Sequence, residues 1–313
     1  LTVLARNHAA LELAFYGRWW QQLVFRLKHW ARANTRRQAR KNIVAHYDLG
    51  NDFYQRWLDP TMTYSSAIFE RDDDTLERAQ QRKIGRIVEL LDAPQDGCVL
   101  EIGCGWGGFA LEAVKTTGCH VTGITVSSEQ YELARQRVRQ AGLEDKITIL
   151  FQDYRRTSGL FDKIVSIEML EAVGHRYLGT FFKTCDRLLK PAGKLAIQVI
   201  TIPDQSYESY RRKSDWIKKY IFPGGHLPSV TALTAAVTKN TGFLMEQLED
   251  IGIHYARTLK DWREKFLRNV DKIRELGFDD VFRRKWIYYL ATCEAGFRER
   301  AIGDIQVVFR KPA

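Results

Sequence analysis

The sequence predicts an α/β fold on a mainly parallel sheet. Apolar runs alternate with helical segments from Cys98 onward, those segments are long enough to cross over a sheet, and a glycine-rich turn joins the first run to its helix. Strands are expected at 98–102, 119–125, 146–151, 161–167, 194–202 and 305–309. Helices are expected at 109–117, 128–140 and around 177–189. Upstream, Leu76, Ala79, Ile84, Ile87, Val88 and Leu91 recur at helical spacing, so residues 75–91 read as an amphipathic helix that the turn formers Pro94 to Gly97 end. Residues 190–193, Lys-Pro-Ala-Gly, read as the turn before the long strand. The polar, aromatic stretch from Pro203 to Ser229 is too long for a plain connection and reads as a lid or insertion at about 203–230.

Composition narrows the class. With 313 residues, 45% hydrophobic and 27% charged, the chain has ample material for a core and does not read as disordered or fibrous. No stretch approaches the apolar length of a membrane span. The five cysteines are scattered, without a CxxC pair, which suggests neither a disulfide framework nor a zinc knuckle. That points to a reducing, cytoplasmic setting, and no metal is expected. No signal peptide is visible, and the chain begins at Leu1.

The net charge is +10. Much of it sits at the start: residues 1–41 hold nine Lys and Arg against the single acid Glu12, interleaved with Phe15, Tyr16, Trp19, Trp20, Phe25 and Trp30. Cations and rings mixed in this way suit a lipid–water boundary. An ordinary helix that packs its rings and solvates its charges would read the same. This segment reads as helical, and residues 1–75 are expected to form a helical arm and cover on a catalytic domain at 76–313.

The strongest chemical signal is Glu101-Ile102-Gly103-Cys104-Gly105-Trp106-Gly107-Gly108, after a strand and opening a helix. Gly103, Gly105 and Gly108 satisfy the dinucleotide fingerprint formally. That fingerprint expects an acid about twenty residues on, where this chain has Gly123-Ile124-Thr125-Val126. Instead an acid precedes the glycines. Acid-x-Gly-x-Gly resembles the first motif of S-adenosylmethionine (SAM) methyltransferases, whose sheet is seven-stranded and Rossmann-like. In that class a polar residue after the third strand, here Asp153, contacts the adenine.

Five segments extend the likeness: 46–54 (HYDLGNDFY), Tyr64-Ser65-Ser66-Ala67, 101–108, 123–130 (GITVSSEQ) and 220–229 (YIFPGGHLPS). Together they resemble the cyclopropane fatty acid synthases, including the mycolic acid cyclopropane synthases, over about 43–309. The resemblance implies a SAM-dependent transferase acting on the double bond of an unsaturated acyl chain, usually in a membrane phospholipid. It implies a cofactor site at Tyr64, Ser65, Glu101, Gly103, Gly105, Thr125, Gln130 and Asp153. The expected partners are phospholipid acyl chains, an anionic membrane surface at the inner face of the membrane, and a second copy in a homodimer. No nucleic acid is expected.

Family members typically hold a bicarbonate ion near the reacting carbons. Carried over residue by residue, that pocket keeps a glutamate at Glu171 and a tyrosine at Tyr255. Its histidines fall on Ala172 and Gln198, and its cysteine on Ser66. A position usually occupied by glycine is Glu168. A second anion beside Glu168 would be repelled. Glu168 is therefore the expected built-in base, with Glu171, Tyr255, Gln198 and Ser66 around it and bicarbonate not required. An ion-paired residue at a strand end is the plainer reading of Glu168. The altered pocket leaves the product open between a cyclopropane and a methyl-branched alkene. Methylation of a soluble small molecule is a third reading.

Overall fold

The computed structural model describes residues 2–3 and 49–313, Ser214 excepted. The expected N-terminal helix at 1–41 and residues 46–48 of the first matching segment lie outside the described residues, apart from 2–3.

Seven strands form one sheet in the order β3-β2-β1-β4-β5-β7-β6. They are β1 (Cys98–Ile102), β2 (His120–Thr125), β3 (Ile147–Phe151), β4 (Phe161–Ile167), β5 (Leu189–Thr201), β6 (Leu244–Asp250) and β7 (Gly303–Arg310). β7 runs antiparallel between β5 and β6, and the other neighbours are parallel. The order reverses between β1 and β4, which opens a crevice beyond their carboxyl ends.

The helices follow from local chemistry. α1 (Asn51–Gln55) is short. α2 (Leu76–Leu91) starts at Thr75, whose side chain accepts from the Arg78 amide, and ends at Asp92 in a left-handed turn. α3 (Gly108–Thr117) opens directly from the glycine turn. α4 (Ser128–Gln140) is capped by Ser127, which accepts from the Gln130 amide. α5 (Leu178–Leu188) presses Phe181, Phe182, Cys185 and Leu188 onto one face of the sheet, whereas α2 and α3 contribute Ile84, Ile87, Ala110 and Val114 to the other. Burying each large side chain is worth roughly 1.5–3 kcal/mol.

β5 begins five residues earlier than expected and absorbs the 190–193 turn, because Leu189 already pairs with Phe161 of β4 ahead of a register shift, while β7 pairs with it only from Lys194 to Thr201. β6 went unread. Its sequence LMEQLED lacks clean alternation, and most of its side chains are exposed at the sheet edge.

Between β5 and β6 lie α6 (Asp204–Arg212), α7 (Trp216–Tyr220) and α8 (Val230–Asn240). The 203–230 segment packs down rather than projecting. Tyr207 and Tyr210 are buried, and the Tyr207 hydroxyl bridges His175 Nδ1 at 2.7 Å and His226 Nε2 at 2.9 Å. α9 (Gly252–Arg268), α10 (Val270–Glu275) and α11 (Asp280–Arg298) precede β7. They enclose a third core, rich in rings, with Phe53, Tyr54 and Trp57 of the N-terminal segment against Trp262, Phe266 and Trp286. That cluster anchors the segment whose residues Met62–Ser65 line the crevice.

Candidate active site

The crevice is lined by residues from four parts of the chain: the Met62–Ser65 segment, α2, the glycine turn with the ends of β2 and β3, and the end of β4. All eight residues expected at a cofactor site line it: Tyr64, Ser65, Glu101, Gly103, Gly105, Thr125, Gln130 and Asp153. The glycine turn takes its shape from left-handed backbone at Gly103 (φ +85°), Gly105 (φ +51°) and Gly107 (φ +80°). A Cβ on Gly103 would meet Met169 Cγ at 2.8 Å, so that glycine is required by packing. A Cβ on Gly105 would meet nothing within 4 Å, so that glycine leaves open space against the crevice.

Thr125 Oγ1 donates to Gln130 Oε1 at 2.9 Å, which fixes both side chains at the end of β2. Asp153 follows β3, where it accepts from the Arg155 amide at 2.9 Å and from Arg155 Nε at 2.8 Å. Tyr64 shares a 2.8 Å hydrogen bond with the Tyr289 hydroxyl. Its ring lies within the aromatic cluster, beside Trp57 and Trp262. Trp106 Nε1 donates to Asn51 Oδ1 at 2.7 Å, and Asn51 donates in turn to the Glu129 carbonyl, so α1 is tied to both the glycine turn and α4.

Glu101 is buried, and burial pushes its carboxyl well above the usual range. Its Oε2 has no hydrogen-bond partner. A buried carboxyl oxygen without a donor is costly unless a ligand supplies one.

At the end of the neighbouring strand β4 stands Glu168, which lines the same crevice. It is a non-glycine residue with φ +48°, a conformation costing roughly 1–2 kcal/mol. Its carboxylate accepts three hydrogen bonds: from the Ser66 amide at 2.7 Å, Gln198 Nε2 at 2.9 Å and the Tyr255 hydroxyl at 2.6 Å. Desolvation raises its pKa, while those donors and the Lys83 ammonium pull the other way. Donors converging on a desolvated carboxylate hold it in place and still leave it a stronger base than a surface carboxylate.

The five expected base-site residues are thus brought to one place, but not all in the expected manner. Ser66 contributes its backbone amide. Its hydroxyl donates instead to the Ala67 carbonyl at 3.1 Å. Glu171 does not hydrogen-bond Glu168. Its Oε1 accepts from the Ile200 amide at 2.6 Å, and its Oε2 is buried without a partner. Burial and the neighbouring Glu168 charge push Glu171 up to about 8. The Tyr255 ring stacks on Phe297 at 4.3 Å between centroids, so its hydroxyl rather than that ring face addresses the site.

Sequence reasoning missed Lys83, Gln80, Asp304 and Gln306. Gln198 Nε2 also donates to Asp304 Oδ2 at 3.0 Å, and Gln306 Nε2 donates to Gln198 Oε1 at 3.1 Å. Gln80 Nε2 donates to the Ser65 carbonyl at 2.8 Å. A lysine and a glutamine on the apolar face of α2 were the available signal. Among the described residues, no group of His, Cys, Asp and Glu is placed to hold a metal ion.

The family model for mycolic acid cyclopropane synthetases matches residues 34–307. This chain belongs to that family. The chain is 43% identical to the tuberculostearic acid methyltransferase of Mycobacterium tuberculosis over 88% of its own length and 69% of that protein's. It is 42% identical to the cyclopropane-fatty-acyl-phospholipid synthase of Escherichia coli over 89% of its length and 70% of that protein's. Among solved structures, the family's cyclopropane synthase MmaA2 from Mycobacterium tuberculosis superposes with a TM-score of 0.81 at 30% identity, covering 87% of this chain and 98% of that one. The mycolic acid cyclopropane synthase CmaA1, complexed with SAH and CTAB, gives the same TM-score at 32% identity and the same coverage. The fold is that of the class I methyltransferases, and the protein is a methyltransferase that uses SAM. The residues present fit that cofactor. Gly105 leaves room, Glu101 offers an unpartnered carboxyl oxygen, and Thr125, Gln130 and Asp153 present polar groups around the same crevice.

Proposed function

We propose that the protein adds a one-carbon unit from SAM to the double bond of an unsaturated acyl chain in a membrane phospholipid, with Glu168 as the resident base. Residues 76–313 carry the chemistry in this reading, and residues 1–75 cover cofactor and substrate. The observation that carries the proposal is the position of Glu168. It is a buried carboxylate lining the cofactor crevice, gripped by Ser66, Gln198 and Tyr255. The names of the relatives support the substrate class: one is a tuberculostearic acid methyltransferase and another a cyclopropane-fatty-acyl-phospholipid synthase.

SAM, held over Glu101, Gly103 and Gly105, supplies an electrophilic methyl group. Addition to an alkene leaves positive charge on the acyl chain, and a carboxylate close by offsets that charge. Glu168 then takes a proton. If the proton comes from the new methyl, the ring closes to a cyclopropane. If it comes from the neighbouring chain carbon, a methyl-branched alkene results. Tyr255 and Gln198 hold the carboxylate in one orientation throughout. With Glu168 in place, the reaction needs no bicarbonate.

The test is incubation with SAM and vesicles of unsaturated phospholipid, followed by analysis of the released acyl chains. A gain of one CH2 is expected for either product. Uptake of hydrogen under mild catalytic hydrogenation marks the branched alkene, and resistance marks the cyclopropane. Absence of the gain on phospholipid, with modification of a soluble acceptor instead, would overturn the substrate reading.

A further inference from the structure

Lys83 has no place in the mechanism above, yet it sits inside it. It lies on the inward face of α2, has 0% of its surface exposed, and lines the same crevice as Glu101 and Glu168. Its Nζ donates to Ser65 Oγ at 2.7 Å. One helical turn earlier, Gln80 Nε2 holds the carbonyl of the same serine. The next residue, Ser66, gives its amide to the Glu168 carboxylate. The turn over the crevice is therefore fastened to α2 on one side and to Glu168 on the other.

The charges around Lys83 are one-sided. Glu168 at the end of β4, Asp304 in β7, Asp59 in the segment after α1 and Glu101 in β1 all favour its charged form, against the burial that opposes it. Glu101 and Asp304 are buried, burial pushes both carboxyls well above the usual range while the Lys83 ammonium pulls both down, and the Gln198 amide joins Asp304 to Glu168. A buried ammonium without carboxylates near it would lose its proton, and buried carboxylates without a cation would gain one.

We infer that Lys83 is a positioning residue: its ammonium is the counter-charge shared by the carboxylates of the cofactor and base sites, and its bond to Ser65 pins the neighbouring turn. Burial lowers Lys83 to about 8 while those four carboxylates oppose the fall, so it keeps its proton near neutral pH. Its field is among the influences that hold Glu168 ionised, the form able to accept a proton. The role rests on the reading of Glu168 as base, but the linkage between the two residues can be tested apart from substrate.

The experiment compares K83M, K83R, E168Q and the double variant K83M/E168Q in the full chain at pH 7. Thermal unfolding and calorimetric binding of S-adenosylhomocysteine are measured for each. The pH profile of turnover with SAM and unsaturated phospholipid vesicles is recorded for wild type, K83M and K83R. K83M should lower the melting temperature, and E168Q should restore part of the loss, because neutralising Glu168 removes the charge left uncompensated. The acidic limb of turnover should move up by about one pH unit or more in K83M, and K83R should bring it back. A double variant no more stable than K83M overturns the inference, as does an unmoved acidic limb. Loss of S-adenosylhomocysteine binding with that limb unmoved would make Lys83 a cofactor ligand instead. If wild type does not act on phospholipid, the substrate proposal fails while the stability coupling still decides for or against Lys83.

Discussion

Glu168 gathers the most consequence into one side chain. A left-handed backbone, which glycine would adopt without strain, is occupied here by a carboxylate with three donors converging on it. Glu168→Gln keeps the shape and removes the base, so turnover should fall by roughly 10²–10⁴-fold. Wild-type turnover should be indifferent to added bicarbonate, whereas Glu168→Gly should regain activity when bicarbonate is supplied. Full activity of Glu168→Gln, or a bicarbonate requirement in the wild type, would return Glu168 to a structural role. Glu171 makes a different prediction. Its folded-state pKa is raised from 4.5 to about 8, so the folded protein holds a proton that the unfolded chain releases earlier. The stability tied to that proton is fully present below about 4.5 and lost as pH rises through about 8. Its size is on the order of a few kcal/mol for a shift of this kind. Denaturant titrations across that window should show stability falling with pH, and Glu171→Gln should flatten the slope. An unchanged slope in the variant would remove Glu171 from the account.

Among the elements, the strand–turn–helix from β1 into α3 was the most legible, and for a local reason. Gly103, Gly105 and Gly107 take up left-handed backbone that glycine adopts without strain and other residues adopt only at a cost. Gly105 is the informative position because a side chain there has room and would point into the crevice space. Gly105→Trp should therefore abolish calorimetric binding of S-adenosylhomocysteine while leaving the circular dichroism spectrum close to wild type. Retained binding would move the cofactor elsewhere. α2 was legible as a helix but not as part of the site. Its apolar spacing identified the buried face and puts Gln80 and Lys83 on it, but the spacing does not say which partners those two polar side chains meet. β6 was illegible because its side chains are mostly exposed and its pairing comes only from β7.

For the molecule as a whole, the net charge of +10 and the substrate proposal lead to the same surface. Among the described residues no helix is long and apolar enough to cross a membrane, and the basic aromatic segment at 1–41 carries the mixture of cations and rings that suits a lipid–water boundary. Each Lys or Arg near an anionic leaflet contributes roughly 1 kcal/mol, screened by salt. Sedimentation with vesicles of anionic, unsaturated phospholipid should show binding that weakens as salt rises and drops on deletion of residues 1–41. Binding that ignores both changes would assign that segment a packing role.

The sequence by itself determined the sheet class, six of the seven strands and the glycine turn, because each depends on short-range periodicity or on a motif in one stretch of chain, whereas Glu168 stood out only through the resemblance to the family. What only the tertiary structure decided is how distant residues divide the work. Ser66 gives its amide rather than its hydroxyl. Tyr255 gives its hydroxyl while Phe297 covers one ring face. Glu171 turns to the Ile200 amide, and Lys83 brings a cation whose charge favours the ionised form of Glu168. These assignments follow from pairings across 30 to more than 100 residues of chain, such as Gln198 with Glu168 and Ser66 with Glu168. Such pairings arise when desolvation forces every buried polar atom to find whichever partner the packed sheet has placed within reach.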